Sequence, residues 1–479
     1  MSRFGGAVRR AWALILVLLN TGCAVGPEYS RPAAPLQSGW QATKGASSLE
    51  PQDVRWWQKL NDPQLVSYVE KGVSGNQNLK EAEARIREAR ALRGVAAAAL
   101  WPQGDGNALY SRSHTSKNAG IISELPQKNL LNFTQNLYQV GFDASWEIDV
   151  FGGRRREVEA ASARAAGGIE NYRDVMITVI SEIARNYVEI RGAQKQLAAA
   201  EKNADTQQKT LELVQVSFNA QTASNLDVER ARAQFERTAA SIPPLRASIR
   251  GSAYRIAVLT GQPPDSLLDQ LLATAPIPDP PDIVPMGLPS DLLLRRPDLR
   301  RAENDLHAAT ADIGGATADL YPRFYLTGQA SPQAAKFTDF FKQSSLMCSF
   351  GPSIQWPVFH GGQILSNIKA TEARRDEALA RYRQAVLAAM QEVETSLVGY
   401  AEHQIERERL AGSFHSQAQA VELAHERYKQ GLSDLLTVLD AERQLAEIEN
   451  TLAVSETQVM VNLISLYKAL GGGWEEPVS

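Results

Sequence analysis

Side chains that could do chemistry are few and scattered along these 479 residues. The histidines have no metal-ligand spacing and no cysteine or serine placed to form a catalytic pair, so each is expected to be an exposed polar residue. They are His114, His307, His360, His403, His415 and His425. Glycine runs at 152–153 and 471–473 lack the lysine and the spacing of a phosphate-binding loop. We therefore expect no enzyme activity, no catalytic residue, no metal site and no cofactor.

Charge and cysteine content exclude two further classes of protein. Lysine and arginine number 50 against 54 aspartates and glutamates, a net charge of −4, so nucleic acid is not an expected partner. Cys23 and Cys348 are too few and too far apart for a disulfide framework. Cys348 lies on the apolar side of a predicted strand, where it is expected to act as a small hydrophobic residue.

The N-terminus has the pattern of an export signal. Residues 9–19 are two arginines and a short apolar run, followed by small residues before a potential cleavage point. A cysteine directly after Thr21-Gly22 resembles a lipoprotein box, in which cleavage leaves Cys23 as the lipidated first residue. Asn20 replaces the aliphatic residue usual in such a box, so an ordinary signal peptide with an incidental cysteine is the alternative.

The chain contains two copies of one unit. A shift of 220 residues matches segment 79–102 to 299–322, and farther along a shift of 210 matches Trp146 to Trp356. A proline-rich stretch separates the copies. The predicted parts are a signal peptide at 1–22, an N-terminal extended segment at 23–61, repeat 1 at 62–275, a linker at 276–289, repeat 2 at 290–473 and a C-terminal tail at 474–479.

Each copy combines helices with a pair of strands. Helices are predicted at 78–100 and 298–320, since both stretches are alanine-rich and end at an aromatic-proline pair. From Tyr138 to Ile148 the even positions are apolar and the odd positions are polar or glycine, which is the period of a strand. Strands are predicted at about 103–113, 136–150, 323–331 and 346–358, and long helical hairpins at 154–260 and 363–470. Pro243-Pro244 predicts a break or kink in the first hairpin only.

Alternation of this length has two physical explanations. One is a soluble sandwich with its apolar face on a core, and the other is a transmembrane β-strand with lipid on one side and water on the other. Four strands are too few for a sandwich core in a chain of this size, and too few to close a barrel. Closure by several identical chains would satisfy the open strand edges.

The ends of the two hairpins carry the most specific local signal. In the second copy Gly431 is expected to end one helix and Ser433 to cap the next. In the first copy the segment 222–225 replaces the glycine turn.

Four segments together resemble the outer membrane factors, the TolC-like family, in the lipoprotein branch that serves RND-type tripartite efflux pumps. They are residues 23–29, 294–299, 427–442 and 466–474. The resemblance implies a mainly α chain with a membrane β-barrel, built from a duplicated strand and long-helix repeat. Three chains would form a 12-strand β-barrel in the outer membrane and a periplasmic α-helical barrel.

The resemblance also implies a gate at the periplasmic end. Asp440 and Leu436 would point into the aperture, and Arg427 and Tyr428 would link adjacent helix pairs. The alternatives are a solvated Asp440 in the first turn of a helix and a buried, packing Leu436. Contacts with an adaptor protein are expected at the hairpin ends, together with plain capping chemistry; the residues are Gly431, Leu432, Ser433, Thr222, Ala223 and Ser224.

The predicted function is a passive exit duct in the outer membrane, anchored by lipid. Its expected partners are two further copies of itself, a periplasmic adaptor, an inner-membrane RND-type transporter and outer-membrane lipid. The alternative is a periplasmic adaptor lipoprotein with coiled-coil hairpins. An adaptor has one hairpin flanked by soluble β-domains, whereas this sequence has paired strands and a duplication.

Overall fold

Helices make up most of the chain in the computed structural model, which describes residues 24–33, 39–40, 47–48, 54–116, 133–281, 284–285 and 291–474. Its helices are α1 (Pro63–Gly75), α2 (Gln77–Ala98), α3 (Gly153–Asn219), α4 (Asn225–Leu259), α5 (Leu268–Leu272), α6 (Leu292–Arg295), α7 (Pro297–Ala318), α8 (Gln363–Lys429) and α9 (Leu435–Ala469). Its longer strands are β1 (Gln103–His114), β2 (Thr134–Ile148), β3 (Arg323–Ala334) and β4 (Leu346–Gln355). Two-residue strands at Ser47–Ser48 and Val284–Pro285 pair in parallel.

The chain divides into two compact units, and each takes segments from both sequence copies. The first comprises Met1–Pro32, Arg87–Gly167 and Glu303–Arg381, and it contains β1 to β4. The second comprises Ala33–Ile86, Gly168–Ala302 and Tyr382–Ser479.

The four long strands form one antiparallel sheet in the order β1-β2-β3-β4. Tyr110 pairs with Tyr138, Phe142 with Ala330, and Ala330 with Cys348. Even-numbered residues therefore pair with even-numbered residues throughout, which places them on one face of the sheet. That face is apolar and exposed along β2 and β4, whereas the odd-numbered face carries glutamine, serine, aspartate and glutamate. The predicted alternation is confirmed.

Strand ends differ from the predictions by a few residues. The strand β4 stops at Gln355 rather than 358, because Pro357 has no N–H to donate to a strand ladder. Similarly, β2 starts at Thr134 and stops at Ile148.

The long helical hairpins are present in both copies. The helices α3 and α8 have 67 residues each, and α4 and α9 have 35 each. The helix α4 continues through Pro243 and Pro244 rather than ending there, and the kink expected at these residues stays a prediction. Both prolines are exposed, so water can satisfy the carbonyls that lose their helical donors. Among the described helices, none is long and apolar enough to cross a bilayer.

The second unit has the main hydrophobic core. Trp56, in a short 3-10 helix at Trp56–Leu60, is fully buried and stacks on Tyr467 with ring centroids 4.9 Å apart. Part of the segment expected to be extended at 23–61 is therefore helical, because burying its tryptophans and Leu60 favours a compact turn. A buried arginine, Arg191, fixes α1 against this core by donating to Gln64 and to the Ala273 carbonyl.

Candidate functional site

The two hairpin ends have the same backbone turn. Gly431 has φ 72° and Gln221 has φ 60°, so both occupy the left-handed region. The Leu432 N–H donates to the Arg427 carbonyl at 2.8 Å, and the Thr222 N–H donates to the Ser217 carbonyl at 2.9 Å. These are the bonds of a Schellman helix end. The predicted glycine turn is confirmed, and the first copy forms it with glutamine.

The residue that caps the following helix differs between the copies. In the first copy Ser224 forms a capping box with Asp227. In the second copy the cap is Asp434, whose carboxylate accepts from the Thr437 N–H at 3.0 Å. The prediction of Ser433 as the cap is therefore wrong. Asp434 has the extended backbone of a cap residue and a charged acceptor, and its hydrogen bonds from Thr437 lower the pKa of its carboxyl.

The hairpin ends of the two copies pack on each other. Their shared cluster, which we call the tip cluster, consists of Val214, Val228, Ala231, Leu435 and Leu439, with Leu211 and Tyr428 packed at its edge. Gln234 also donates to the Leu439 carbonyl at 3.0 Å. The two hairpins are thus joined at their ends within one chain, and Tyr428 contributes to this packing.

The predicted gate residues lie on an exposed face near this cluster. Leu436 is 53% exposed, so it is not a packing residue of its own chain. Asp440, one turn farther along α9, accepts from Arg443 at 2.6 Å and from Gln444 at 2.7 Å. It lies in the second turn of α9 rather than the first, and its side chain is 48% exposed, so a solvated carboxylate remains the alternative to a gate residue. Arg427 is exposed and its guanidinium lies 3.4 Å from the Leu432 carbonyl.

A buried acid beside the tip cluster was missed by sequence reasoning. Glu442 is 5% exposed; it accepts from the Thr210 hydroxyl at 2.9 Å and lies 3.0 Å from His425 Nε2. Burial raises the pKa of Glu442, and the hydrogen bond from Thr210 and the nearby imidazole oppose that rise. A signal was available, since Glu442 continues the buried i, i+3, i+4, i+7 face that starts at Leu435.

Three histidines are less exposed than expected: His307, His403 and His425. His425 is half-buried against Glu442. In the first unit His307 stacks on Tyr29 at 4.4 Å and lies 2.8 Å from a Glu159 oxygen. Burial alone would raise the pKa of Glu159. The hydrogen bonds from His307 and Arg156 outweigh that effect and lower the pKa of Glu159. Within the described residues no group of three or more His, Cys, Asp or Glu side chains could hold a metal ion.

Cys23 lies outside the described residues, but the segment after it is firmly placed. The Val25 N–H donates to the Phe151 carbonyl at 3.0 Å, just past the end of β2. Gly26 has φ +90°, and a Cβ there would lie 2.4 Å from the Cα of Gly314. Only glycine fits this close approach. Arg31 is paired with Glu303 in the same unit.

The two other segments of the resemblance contact each other in the second unit. The Trp474 indole N–H donates to the Arg295 carbonyl at 2.9 Å, and the guanidinium groups of Arg173 and Arg300 lie 4.1 Å and 5.2 Å from the centroid of its ring. Arg296 is buried and donates to the Ala469 carbonyl at 3.0 Å. These segments therefore hold the C-terminal end of α9 in place.

Comparison with known proteins identifies the family. Residues 71–262 and 288–472 match the family described as outer membrane efflux protein. The chain belongs to the outer membrane efflux protein family. It is 31% identical over 459 residues to nodulation protein T of Rhizobium leguminosarum bv. trifolii, covering 95% of this chain and 96% of that protein. It is 30% identical to the toluene efflux pump outer membrane protein TtgI of Pseudomonas putida, covering 96% and 97%.

Solved structures of this family have the same fold. The outer-membrane channel OprN superimposes with a TM-score of 0.88 at 33% identity, covering 94% of this chain and all of that one. The open state of the Neisseria gonorrhoeae MtrE outer membrane channel gives a TM-score of 0.80 at 26% identity, covering 94% and 98%. The predicted fold class, the outer-membrane location and the role as an efflux exit duct are confirmed, and the alternative of a periplasmic adaptor is wrong. The family is one of transport proteins.

Proposed function

We propose that three copies of this chain close into a passive duct that receives small molecules from a periplasmic adaptor and an inner-membrane RND-type pump, without catalysing a reaction. The observation that carries the proposal is the sheet: an exposed apolar face and two edge strands, β1 and β4, in one chain. Phe142 on β2 and Phe350 on β4 are 73% and 78% exposed. Such a face requires lipid or a partner.

Open strand edges are not stable in a bilayer, because each unpaired N–H and C=O there costs several kcal/mol. Pairing β4 of one copy with β1 of the next removes every edge when the ring closes. Three copies of four strands make the twelve strands that the family resemblance implies. The odd-numbered polar face then lines the lumen.

The gate is proposed at the other end of the helices. Leu436 and Asp440 lie on one exposed face of α9, four residues apart, so three copies would place three leucines and three carboxylates around one aperture. Arg427 and Tyr428 would link neighbouring helix pairs there. The turns at Thr222–Ser224 and Gly431–Ser433 are proposed to contact the adaptor.

Lipid anchoring is proposed at Cys23. Val25 bonds beside the end of β2, near Phe151, which stacks on Tyr321 at 4.5 Å. A lipidated Cys23 two residues earlier would have its acyl chains close to the level at which aromatic side chains meet a membrane interface.

Cross-linking through the native Cys348 tests the closure of the ring. We would place one cysteine on β1 at Gly106, Ala108 or Tyr110 in turn, and oxidise intact outer membranes. At the matching position bands of two and three chains are expected, and none larger. The same variants carrying Cys348→Ser are the control, and they should give only the band of the single, uncross-linked chain. Single chains at all three positions, or bands larger than three, would contradict a closed trimer.

A further inference from the structure

Aromatic side chains form a continuous cluster where the sheet ends farthest from the helices. On the even-numbered face Tyr110 packs against Tyr138 at 4.8 Å, and Tyr138 meets Phe337 at 5.6 Å. Phe337 in turn contacts Phe340 and Phe341. Phe341 is 82% exposed and Phe337 is 60% exposed. These five residues are the outer aromatic cluster, and much of their ring surface is uncovered.

A second aromatic level marks the opposite end of the same face. Trp146 donates its indole N–H to the Leu100 carbonyl, and Trp356 donates to the Leu320 carbonyl. Eight residues of β2 separate Trp146 from Tyr138, about 27 Å along a strand and about 20 Å across a membrane at ordinary barrel tilt. With the phenylalanines of the β3–β4 hairpin included, the apolar face becomes taller and approaches ~25 Å, which is the height of the apolar band of a transmembrane β-barrel. In the proposed barrel this spacing would place the outer aromatic cluster at the outer membrane interface.

Basic residues lie next to the outer aromatic cluster in the sequence and on its strand face. Lys336 and Lys342 flank its phenylalanines in the hairpin, and both are exposed. Arg112 lies two residues beyond Tyr110 on the same face of β1, opposite Asn136. The hairpin carboxylate, Asp339, is bonded to Lys342 at 2.6 Å. In the described part of this end of the sheet, these three cations and one carboxylate give a net positive rim.

We propose that this rim, formed by Arg112, Lys336 and Lys342 above the outer aromatic cluster, docks the phosphates of outer-leaflet glycolipid. The rings enter the upper acyl region and the cations meet the lipid A phosphates, in the arrangement by which basic residues next to a membrane recognise anionic lipid. The inference rests on the proposed function, because that function places the hairpin on the outer side. Charge complementarity selects the occupant, since zwitterionic lipids carry no net charge for three cations.

Native mass spectrometry of the purified detergent-solubilised protein tests the proposal by counting bound lipid. The probes are bisphosphorylated lipid A and the same lipid without its phosphates. Replacing both lysines with glutamine, Lys336→Gln with Lys342→Gln, should weaken binding of the phosphorylated lipid at least about tenfold, since each basic residue near a charged surface contributes about fivefold. Binding of the dephosphorylated lipid should not change. The matched control removes two exposed lysines elsewhere, Lys80→Gln with Lys369→Gln, and should bind like wild type.

Two further arms make the result decisive. Phe341→Ala should weaken both lipids, because it removes acyl contact rather than charge, and inorganic phosphate at millimolar concentration should not compete. Equal binding by the lysine variant and the control would overturn the proposal, and displacement by inorganic phosphate would show a simple anion site instead. Channel conductance, measured on the same preparations, should match wild type. If the wild-type protein itself showed no conductance, the proposed duct would be wrong rather than the lipid site.

Discussion

Glu442 Oε1 and His425 Nε2 lie 3.0 Å apart inside the end of the second hairpin. The same carboxylate oxygen accepts from Thr210 on α3, so one buried acid connects three helices: α3, α8 and α9. It adjoins the tip cluster, to which Tyr428 belongs. The charge state of Glu442 therefore bears on how firmly the two hairpins are held together.

The first prediction concerns pH. Because burial raises the pKa of Glu442 in the folded chain, its contribution to stability is fully present below the unfolded pKa of about 4.5 and is lost as the pH rises through the folded value. Wild-type protein should therefore lose thermal stability as the pH rises above about 4.5 toward neutral pH. Glu442→Gln keeps the shape without the charge and should flatten this slope. His425→Gln serves as the control for imidazole titration, and parallel slopes for wild type and Glu442→Gln would refute the role of Glu442.

The second prediction compares the two turns. Gln221 holds a left-handed backbone at a cost of about 1 kcal/mol that glycine does not have. Gln221→Gly should therefore slow hydrogen exchange of the Thr222 amide about fivefold, and Gly431→Ala should speed exchange of the Leu432 amide by a similar factor. A Cβ at Gly431 would meet nothing within 4 Å, so the effect there is one of backbone conformation alone. Unchanged hydrogen exchange in both variants would contradict this cost of the left-handed backbone at a residue other than glycine.

The third prediction uses the two faces of β2. Phe142→Arg places a charge on the apolar face and should cost about 2–4 kcal/mol, with loss of assembled protein from the outer membrane. Gln139→Arg lies on the polar face and should be tolerated. The amount of heat-stable trimer in membrane extracts measures both. If the two variants assemble equally well, the even-numbered face does not contact lipid.

Strand faces could be predicted from the sequence because their signal is local: an unbroken period of two over residues 138–148. Long helices were also predictable, because their signal is local as well. The burial of Glu442 had a local signal in the spacing of α9, but its partners could not be predicted, because Thr210 and His425 lie on other helices and only tertiary packing brings them together. Similarly, Asp434 replaced the expected Ser433 because neighbouring serine and aspartate are both good caps, and backbone geometry selects between them. The close approach of Gly26 to Gly314 joins residues that are far apart in the sequence, so no local pattern predicts it.

The fourth prediction concerns the anchor. Wild-type cells grown with radioactive palmitate should yield labelled protein, and Cys23→Ser should abolish the label. Cys348→Ser, the matched change at the other cysteine, should keep it. Export activity should largely survive Cys23→Ser, since the barrel also holds the protein in the membrane. Label that persists in the Cys23→Ser protein would exclude Cys23 as the acylation site.

The fifth prediction concerns the gate. If three Asp440 carboxylates surround the aperture with Leu436 beside them, the closed channel should show low conductance in planar bilayers, and divalent or trivalent cations on the periplasmic side should block it. Asp440→Ala with Leu436→Ala should conduct more and lose the block, because each substitution removes three groups at once. Arg443 donates to Asp440 at 2.6 Å and partly neutralises it, so Arg443→Ala should strengthen the block. An Asp440→Ala channel blocked as strongly as wild type would place the cation site elsewhere, and an unchanged block in Arg443→Ala would show that this ion pair does not persist at the aperture.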